Sequence, residues 1–296
     1  MDEFSDKVAV VTGTANPRGI GLATCRKLAE AGARVILSDL DGERVQARAA
    51  ELRSDGFDAV GMGVDMSDRG SVLAFADAVH SDFGAVDILQ VNHVAPTGGP
   101  GHGLLSPEPD AWDLHVTVNL LGAVYAIKAF VPAMIARGKH AHVLLTSSGA
   151  GNTGTMYGNG PYAVTKCAQV SLMECLYGQL RDVEADIVTT VVFPGVTATM
   201  PTDELAELTV NGLRSYGLPA VLMRPEEVAV YTLEAMRRDS FWAHPDIADD
   251  KRLTGGDQAE IIEWEHQMYQ KRSRAMIDRS APDSYLWGPP SSLLGP

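Results

Sequence analysis

The sequence predicts a doubly wound α/β fold, in which helices cover both faces of a parallel sheet. Short runs of β-branched and other apolar residues alternate along the chain with longer segments of helical periodicity. Within each short run the apolar residues are nearly continuous, which is typical of strands buried on both faces of a parallel sheet. Ligands bind such folds at the carboxyl ends of the strands, so the residues that follow each strand are candidates for a site.

The apolar runs predict six strands, and the periodic segments between them predict five helices. The predicted strands are Val8–Val11, Arg34–Ser38, Ala59–Val64, Val86–Val91, Ala141–Thr146 and Ile187–Phe193. The predicted helices are Ile20–Ala31, Gly42–Ser54, Asp68–Phe83, Asp110–Arg137 and Gly160–Asp182. Gly32 is a suitable C-cap for the first helix, and Ser67 or Asp68 is the N-cap of the third. Pro161 fits the first turn of the fifth helix, and Pro132 is expected to bend the fourth near its end.

The composition is that of one large globular domain or of a domain with an appendage: 296 residues, 45% hydrophobic and 21% charged. The formal net charge of −14 disfavours nucleic acid and anionic membranes as partners, because an acidic surface repels polyanions. No apolar run is expected to reach the length that spans a membrane, and the acidic first residues do not form a signal-peptide pattern. The three cysteines give no disulfide framework, so a cytoplasmic protein is expected.

The residues after the first predicted strand form a glycine-rich turn, Thr12–Gly21, that opens the first helix. Glycines let the backbone approach a pyrophosphate, and the positive N-terminus of the helix attracts it. The turn therefore predicts a dinucleotide site, with contacts from Gly13, Arg18, Gly19, Ile20 and Gly21. An ordinary turn glycine is the alternative interpretation of Gly13.

Asp39, at the end of the second predicted strand, is expected to select the cofactor. A carboxylate there accepts hydrogen bonds from a ribose diol and repels a 2′-phosphate, which favours NAD. Arg18 could instead pair with that phosphate, so NADP is the less favoured alternative. Asp65, after the third strand, is placed to hydrogen-bond the adenine amino group, with helix capping as its alternative role; Met66 is a further expected cofactor contact.

Tyr162 and Lys166 lie four residues apart on the fifth predicted helix and therefore share one face. The spacing places an ammonium group beside a phenol, and a positive charge lowers the pKa of a phenol from about 10 by favouring the phenolate. Such a pair can move a proton at a carbinol or carbonyl oxygen. A solvated helix face is the ordinary alternative for the same spacing.

Taken in order, these motifs resemble those of the short-chain dehydrogenase/reductase family, from about Lys7 to Ala235. The matching residues are the glycine turn, Asp39, Asp65, Asn119, Ser148, Tyr162, Lys166, Pro194, Gly195 and Thr199. The resemblance implies a Rossmann-type sheet. The chain is loosely similar to a subgroup with C-terminal extensions, which includes the aryl-ether Cα-dehydrogenases of lignin breakdown.

The resemblance implies a role for each residue of a catalytic group. Tyr162 is the general acid/base, Lys166 lowers its pKa and holds the nicotinamide ribose, and Ser148 hydrogen-bonds the substrate oxygen. Asn119 holds a water that links Lys166 to solvent. Ser147 is the alternative to Ser148, and a satisfied polar group within the helix is the alternative for Asn119.

The resemblance also implies which residues hold the nicotinamide end of the cofactor. Thr199 binds the carboxamide, with N-capping of a following helix as its alternative. Further cofactor contacts are expected from Asn92, Tyr162, Lys166, Pro194, Gly195 and Thr197.

The chain departs from the family pattern in its turns and at its end. The glycine turn has two additional residues, and Asn16-Pro17 is expected to bulge outward and leave phosphate binding intact. The family sequence Asn-Asn-Ala-Gly is replaced by Val91–Val94, which puts the ribose contacts in question; His93 is expected near the adenosine-side ribose or in local packing. The usual last strand and Asp-Gly-Gly close are replaced by Phe241–Pro245 and then a helix at Gln258–Met276.

The expected organisation is a catalytic domain at 1–245, with a substrate lid at 200–224, followed by a C-terminal helix and tail at 246–296. The apolar lid favours a lipophilic or aromatic alcohol as the substrate. Substrate contacts are expected from Ser148, Met156, Tyr157, Tyr162 and Met200. The apolar, proline-rich tail Tyr285–Leu294 is expected to pack on a neighbouring subunit of a homodimer or homotetramer.

His140 and His142 resemble a metal-binding pair, but the sequence offers no third ligand at a useful spacing, so no metal site is expected. The expected function is the NAD-dependent interconversion of a secondary alcohol and a ketone. One alternative is an NADP-linked ketone reductase. The other is a dinucleotide-binding sensor without chemistry, for which the altered segment Val91–Val94 is the reason.

Overall fold

The computed structural model describes residues 4–96, 105, 110–153, 159–215 and 220–245. The chain divides into two compact units, Met1–Ala206 with Leu222–Pro245 and Glu207–Val221 with Asp246–Pro296. The first unit contains every described strand, whereas only residues 207–215 and 220–221 of the second are described. The predicted domain boundary at 245 stays a prediction, because the C-terminal helix and tail lie outside the described residues.

The strands form one parallel, seven-stranded sheet. They are β1 (Val8–Thr12), β2 (Arg34–Asp39), β3 (Ala59–Gly63), β4 (Ile88–Val91), β5 (Ala141–Thr146), β6 (Ile187–Val192) and β7 (Trp242–Ala243). Their order across the sheet is β3-β2-β1-β4-β5-β6-β7, so the direction of winding reverses between β1 and β4. Ligands of doubly wound folds bind in the crevice at this reversal, and the predicted fold class is confirmed.

Nine helices are described, and they connect or follow the strands. They are α1 (Ile20–Glu30), α2 (Gly42–Ser54), α3 (Arg69–Phe83), α4 (Asp110–His115), α5 (Gly122–Arg137), α6 (Ala150–Thr153), α7 (Gly160–Asp182), α8 (Asp203–Ser215) and α9 (Pro225–Arg237). Helix α1 packs against α9, and α3 packs against α5. Every residue of β4 and β5 is buried, as the continuous apolar runs predict.

Two helices begin at aspartate caps. The carboxylate of Asp41 accepts a hydrogen bond from the backbone N–H of Arg44 at 3.0 Å at the start of α2. At the start of α3, Asp68 accepts from the backbone N–H groups of Gly70 at 2.9 Å and Ser71 at 3.3 Å. Of the two N-caps proposed for the third helix, the structure therefore has Asp68.

The predicted helix Asp110–Arg137 is divided in the structure. Helix α4 passes into a π-helical segment at Val116–Leu121, and α5 then continues through Pro132 to Arg137. A π segment inserts extra backbone into the helix and changes the direction of the side chains that follow, and such segments are frequent at functional sites. Hydrophobic periodicity did not predict it, because a pattern of helical spacing does not show where the hydrogen bonding changes from α to π.

The helical stretch Ala111–Arg137 is long and apolar enough, by length and composition alone, to cross a membrane. The expectation that no apolar run reaches this length is therefore wrong. The mean hydropathy of this stretch stays high although it contains a few polar residues. In the structure this stretch packs against α3 and α7, and core helices of soluble proteins pass the same test. The absence of a membrane partner stays a prediction.

The segment Phe241–Pro245 contains a strand where the sequence indicated a departure from the family pattern. Trp242–Ala243 pairs with β6 in parallel, and the backbone N–H of Phe193 donates to the carbonyl of Ala243 at 2.8 Å. The ring of Phe193 lies 5.7 Å from that of Trp242. A strand of two residues is too short to be predicted from a pattern of apolar residues in the sequence.

Candidate active site

The glycine turn between β1 and α1 requires glycine at two positions. Gly13 has a φ of +72°, and a Cβ there would lie 2.8 Å from Cα of His93. A Cβ on Gly21 would lie 2.6 Å from the carbonyl oxygen of Gly13 and 2.7 Å from Nδ2 of Asn92. Gly19 precedes α1 as its N-cap, and Ile20 is its half-buried first residue. The turn is therefore a close-packed backbone loop at the mouth of the crevice, as a pyrophosphate site requires.

Asn92 and His93 hold this turn from the end of β4. The Asn92 amide donates to the carbonyls of Thr12 and Gly13, both at 3.1 Å. Nδ1 of His93 lies 2.8 Å from Oγ1 of Thr12, and Nε2 lies 3.0 Å from the carbonyl of Val118. The structure therefore places His93 in local packing, the second of its two expected positions.

Asp39 lies at the carboxyl end of β2, half-buried, beside the glycine turn. Its carboxylate accepts hydrogen bonds from the backbone N–H groups of Ala15 and Leu40, both at 2.8 Å. These bonds hold the carboxylate beside the glycine turn, where the sequence predicts the ribose of the cofactor.

Arg18 is engaged with the segment that follows β6. Its Nε donates to the carbonyl of Ala198 at 3.2 Å, and its guanidinium pairs with Asp203. The other carboxylate oxygen of Asp203 pairs with Arg224 at 2.8 Å, and these contacts lower the pKa of Asp203. The structure therefore places Arg18 in an ion-pair cluster, and not in a contact with Asp39.

The insertion in the glycine turn joins the same segment. Asn16 and Pro17 are exposed, in agreement with an outward bulge. The Asn16 amide donates to the carbonyl of Thr199 at 3.0 Å, and its oxygen accepts from the backbone N–H of Arg18 at 3.0 Å. The bulge therefore fastens the glycine turn to the segment that carries Thr199.

The residues after β3 lie at the same edge of the sheet. Oδ1 of Asp65 accepts hydrogen bonds from the backbone N–H of Ser67 at 2.8 Å and from its hydroxyl at 2.6 Å. Asp68, and not Asp65, is the N-cap of α3. The bonds of Asp65 to Ser67 close a local turn before the helix. Met66 is buried and offers little surface to a ligand.

Tyr162 and Ser148 meet at the carboxyl end of β5. The hydroxyl of Ser148 hydrogen-bonds the phenol of Tyr162, and its oxygen accepts from the backbone N–H of Ala150 at 3.2 Å. Burial raises the pKa of Tyr162, and the hydrogen bond from Ser148 opposes this rise. The prediction that the pKa of this phenol is lowered is therefore wrong for the site in this structure. The cost of burying the phenolate is larger than the stabilisation of the phenolate by the hydrogen bond from Ser148.

Lys166 is buried beneath Tyr162. Its Nζ donates to the carbonyl of Thr146 at 2.8 Å and lies 5.5 Å from the centroid of the Tyr162 ring. Burial lowers the pKa of Lys166 to about 7. The amine is thus held at the end of β5, close to the ring of Tyr162.

Ser147 has a different environment from its neighbour. Its hydroxyl is buried and donates to the carbonyl of Lys166 at 2.9 Å, so it fastens β5 to α7. The structure brings Ser148, and not Ser147, to the phenol of Tyr162.

Asn119 lies in the π-helical segment with its side chain fully buried. Its Oδ1 accepts from the backbone N–H of Ala95 at 2.7 Å, and its Nδ2 donates to Oγ1 of Thr165 at 3.0 Å. Its carbonyl accepts from the Gln169 amide at 2.7 Å. Asn119 therefore joins the loop after β4 to α7, and the alternative of a satisfied polar group within the helix describes its side chain.

The segment after β6 runs beside the site. The carbonyl of Pro194 accepts from the backbone N–H of Gly149 at 3.1 Å, while Gly195 is exposed. The hydroxyl of Thr197 donates to the carbonyl of Gly195 at 3.0 Å, and that of Thr199 lies 3.4 Å from the carbonyl of Thr197. Met200 follows, half-buried. Met156 and Tyr157, the other expected substrate contacts, lie outside the described residues.

Two side chains that the sequence did not single out lie close to the catalytic group. The buried ring of His115 stands edge-on to Tyr162, with ring centroids 6.5 Å apart, and its Nδ1 donates to the carbonyl of Ala111 at 2.7 Å. Gln169 binds Asn119 from α7. Helical spacing could have indicated both, because His115 precedes Asn119 by one turn and Gln169 follows Lys166 by one turn.

Residues 7–208 match the family model of the short chain dehydrogenases. The chain belongs to the short-chain dehydrogenase family. The match covers most of the described sheet and all four residues of the predicted catalytic group. As a member of this family, the protein is an oxidoreductase.

Relatives with known names include three dehydrogenases. The chain is 35% identical to Cα-dehydrogenase of Sphingobium sp. over 59% of its own length and 55% of that protein. It is 29% identical to 1-deoxy-11-beta-hydroxypentalenate dehydrogenase of Streptomyces exfoliatus, over 97% of this chain and 96% of the relative. It is 30% identical to the BbsD subunit of (2S)-[(R)-hydroxy(phenyl)methyl]succinyl-CoA dehydrogenase of Thauera aromatica, over 76% and 87%.

Solved structures of the family have the same fold and hold either cofactor. A metagenomic short-chain oxidoreductase in complex with NADP is 31% identical, with a TM-score of 0.65 over 82% of this chain and 97% of that one. A Burkholderia phymatum short-chain dehydrogenase in complex with NAD is 26% identical, with a TM-score of 0.72 over 92% and 96%. The apo form of LigD from Sphingobium sp. strain SYK-6 is 26% identical, with a TM-score of 0.70 over 94% and 99%.

Proposed function

We propose that this short-chain dehydrogenase uses NAD to interconvert a lipophilic or aromatic secondary alcohol and the corresponding ketone. One observation carries the proposal: the hydroxyl of Ser148 is hydrogen-bonded to the phenol of Tyr162, above the buried amine of Lys166. These three groups can bind an oxygen of the substrate and exchange a proton with it.

The residues of the crevice fit a nicotinamide dinucleotide. The glycine turn has no room for side chains at Gly13 and Gly21, and the carboxylate of Asp39 is held at the end of β2. A bound nicotinamide supplies the acceptor of the hydride in oxidation and its donor in reduction. The residues that we propose to hold it are those of the glycine turn and the 194–199 segment.

In oxidation, Ser148 orients the hydroxyl group of the substrate and Tyr162 takes its proton. The phenol must first lose its own proton, which burial makes costly. A charged Lys166 close to the phenolate offsets that cost, and its pKa of about 7 lets it change protonation at neutral pH. In reduction the same phenol gives its proton to the ketone oxygen.

We propose NAD as the cofactor because of the charges around Asp39. The carboxylate of Asp39 repels a 2′-phosphate, and the guanidinium that could bind the phosphate, Arg18, is held by Asp203 and Ala198. A relative whose structure holds NADP makes NADP the alternative.

The substrate class is proposed from the lid and the relatives. Met200 and several leucines of the 200–224 segment offer apolar surface. Two relatives are named after compounds that carry a hydroxyl group. In one the group is on a pentalenate, and in the other it is on a carbon that bears a phenyl ring.

The test is NADH formation with a panel of aromatic, terpenoid and steroid secondary alcohols. Tyr162→Phe is expected to lower kcat/KM by about 10²–10⁴-fold, since it removes the group that accepts the proton. Ser148→Ala is expected to lower kcat/KM strongly, whereas Ser147→Ala, the matched control, retains catalysis if it folds. Full activity of Tyr162→Phe would refute the proposed role of Tyr162, whereas a wild-type protein that binds the dinucleotide but oxidises no alcohol would favour a sensor without catalysis.

The same protein tests the cofactor. Calorimetric titration with NAD and NADP is expected to give tighter binding of NAD, and Asp39→Ala is expected to reduce that preference. Asp41→Ala, which changes an acid that caps α2, is the control. Tighter binding of NADP by the wild-type protein would contradict the assignment.

We also propose that the protein is a cytoplasmic homodimer or homotetramer in which the apolar tail covers a neighbouring subunit. Removal of the residues after Arg279 should then reduce the size of the assembly in sedimentation experiments. A truncated protein of unchanged size would exclude this role of the tail.

A further inference from the structure

A cluster of two imidazoles and a carboxylate lies at the amino end of the sheet. One ligand atom from each of His140, His142 and Asp239 lies within 4.8 Å of the others. His142 belongs to the start of β5, whose other end contacts Lys166 through Thr146. The cluster is therefore at the opposite edge of the sheet from the candidate active site.

The fold supplies the ligand that the sequence spacing did not offer. Asp239 follows the end of α9 with a φ of 49°, in the left-handed region. Its backbone N–H donates to the carbonyl of Met236 at 3.0 Å, and the N–H of Ser240 donates to that of Ala235 at 2.9 Å. This C-terminal capping of α9 fixes the backbone of Asp239 beside β5.

His140 is oriented by a second carboxylate. Its Nδ1 lies 2.9 Å from Oδ1 of Asp186, and its Nε2 lies 3.5 Å from Oδ1 of Asp239. When Nδ1 donates to Asp186, the lone pair of Nε2 faces Asp239. Histidine ligands of metal ions have this arrangement, in which a carboxylate holds the ring nitrogen that does not bind the metal.

His142 is available as a ligand. It is only 6% exposed, and its Nδ1 is buried without a hydrogen-bond partner among the described residues. Its ring lies at right angles to that of His140, with the centroids 4.8 Å apart.

The surrounding charges permit a cation. The carboxylates of Asp186 and Asp239 face His140, and the nearby ammonium of Lys7 is paired with Asp87 at 3.2 Å. The side chains of His140 and Asp239 are 44% and 58% exposed, so an ion can enter from solvent.

We propose that His140, His142 and Asp239 bind a divalent transition-metal ion of the zinc type, with Asp186 as the orienting carboxylate. Two imidazoles and one carboxylate select Zn²⁺, Co²⁺ or Ni²⁺ over the hard ions Mg²⁺ and Ca²⁺, which prefer oxygen ligands. Metal–ligand distances of about 2.0–2.2 Å require the two exposed side chains to move slightly inward. The ion would fasten the start of β5 to the turn between α9 and β7.

Cobalt binding to the untagged full-length protein tests the proposal, because Co²⁺ reports its ligands through visible absorption. The wild-type protein is expected to develop a band that Zn²⁺ abolishes by displacement. His140→Ala and Asp239→Asn are expected to lose the band, and Asp186→Asn to bind about 10–100-fold more weakly. Asp55→Asn, which removes an exposed acid paired with Arg26 elsewhere, is the matched control and should bind as the wild type does.

Thermal unfolding of the same proteins distinguishes loss of metal binding from loss of folding, because a variant that has a cooperative transition is folded. Zn²⁺ is expected to raise the Tm of the wild type and of Asp55→Asn, and to leave the Tm of folded Asp239→Asn unchanged. The proposal is overturned if the wild type binds no Co²⁺, or if His140→Ala and Asp239→Asn bind it as the wild type does. The latter result would assign the ion to other histidines of the chain.

Discussion

The imidazole of His93 is held on both sides, and its hydrogen bonds determine its tautomer. Oγ1 of Thr12 accepts from the backbone N–H groups of Asn92 at 2.9 Å and His93 at 3.2 Å, so its own proton goes to Nδ1 of the ring. Nε2 then carries the remaining proton and donates to the carbonyl of Val118. Burial lowers the pKa of His93 to about 4, so the ring is neutral at physiological pH.

This depressed pKa makes stability depend on pH. Between about pH 4 and pH 6.5 the unfolded chain binds a proton at His93 that the folded chain does not, so stability rises with pH through this window and is lost as pH falls. Urea unfolding of His93→Gln is expected to show a pH slope smaller than that of the wild type by up to about 1.4 kcal/mol per pH unit. His142 titrates in both proteins, so the difference isolates His93. Equal slopes would show that the pKa of His93 is the same in the folded and the unfolded chain.

Among the elements, the π-helical segment Val116–Leu121 has the clearest consequence for the site. It brings Asn119 between the loop after β4 and α7, while the preceding turn carries His115 against Tyr162. Three elements therefore meet at Asn119, and its hydrogen bonds hold them in register. The contacts of Asn119 therefore give it a structural role in holding these elements together, in addition to the catalytic role that the family resemblance implies.

Helix α3 depends on its N-cap. Asp68→Ala removes the acceptor for the N–H groups of Gly70 and Ser71, and is expected to lower the free energy of unfolding by about 1 kcal/mol. Asp77→Ala changes an exposed acid farther along the same helix and is the control, with a much smaller expected effect. Urea titration measures both. A loss from Asp77→Ala as large as that from Asp68→Ala would contradict a capping role.

At the scale of the molecule, the glycine turn and the segment after β6 are joined through Arg18, Asp203 and Arg224. The Asn16 amide adds a hydrogen bond to the carbonyl of Thr199 in the same place. These contacts link the two parts of the chain that we propose to hold opposite ends of the cofactor. We therefore expect cofactor binding to be coupled to the position of the 198–203 segment through the insertion in this glycine turn.

The coupling predicts the behaviour of Asp203→Ala. Loss of both ion pairs is expected to loosen the 198–203 segment and raise KM for the cofactor by about three- to tenfold, with a smaller change in kcat. Asp55→Ala breaks an exposed pair of similar kind, with Arg26, and should leave KM unchanged. Steady-state kinetics with varied cofactor distinguishes them. Identical KM values for Asp203→Ala and the wild type would exclude the coupling.

Much of the fold and part of the site follow from the sequence alone. Continuous apolar runs predicted six of the seven strands to within two residues at either end, because a buried parallel strand leaves a local pattern. The sequence also predicted the glycine turn, the position of Asp39 at a strand end and the shared helix face of Tyr162 and Lys166, because each depends on residues close together in the chain.

Only the tertiary structure decided how the remaining groups are used. It turned Ser148 toward Tyr162 and Ser147 toward the carbonyl of Lys166, and it occupied Arg18 with Asp203. It also raised the pKa of Tyr162 by burial, against the direction that its spacing from Lys166 predicted. The physical reason is common to all of these results: hydrogen-bond partners and desolvation are set by atoms distant in sequence, and a local pattern contains no information about them.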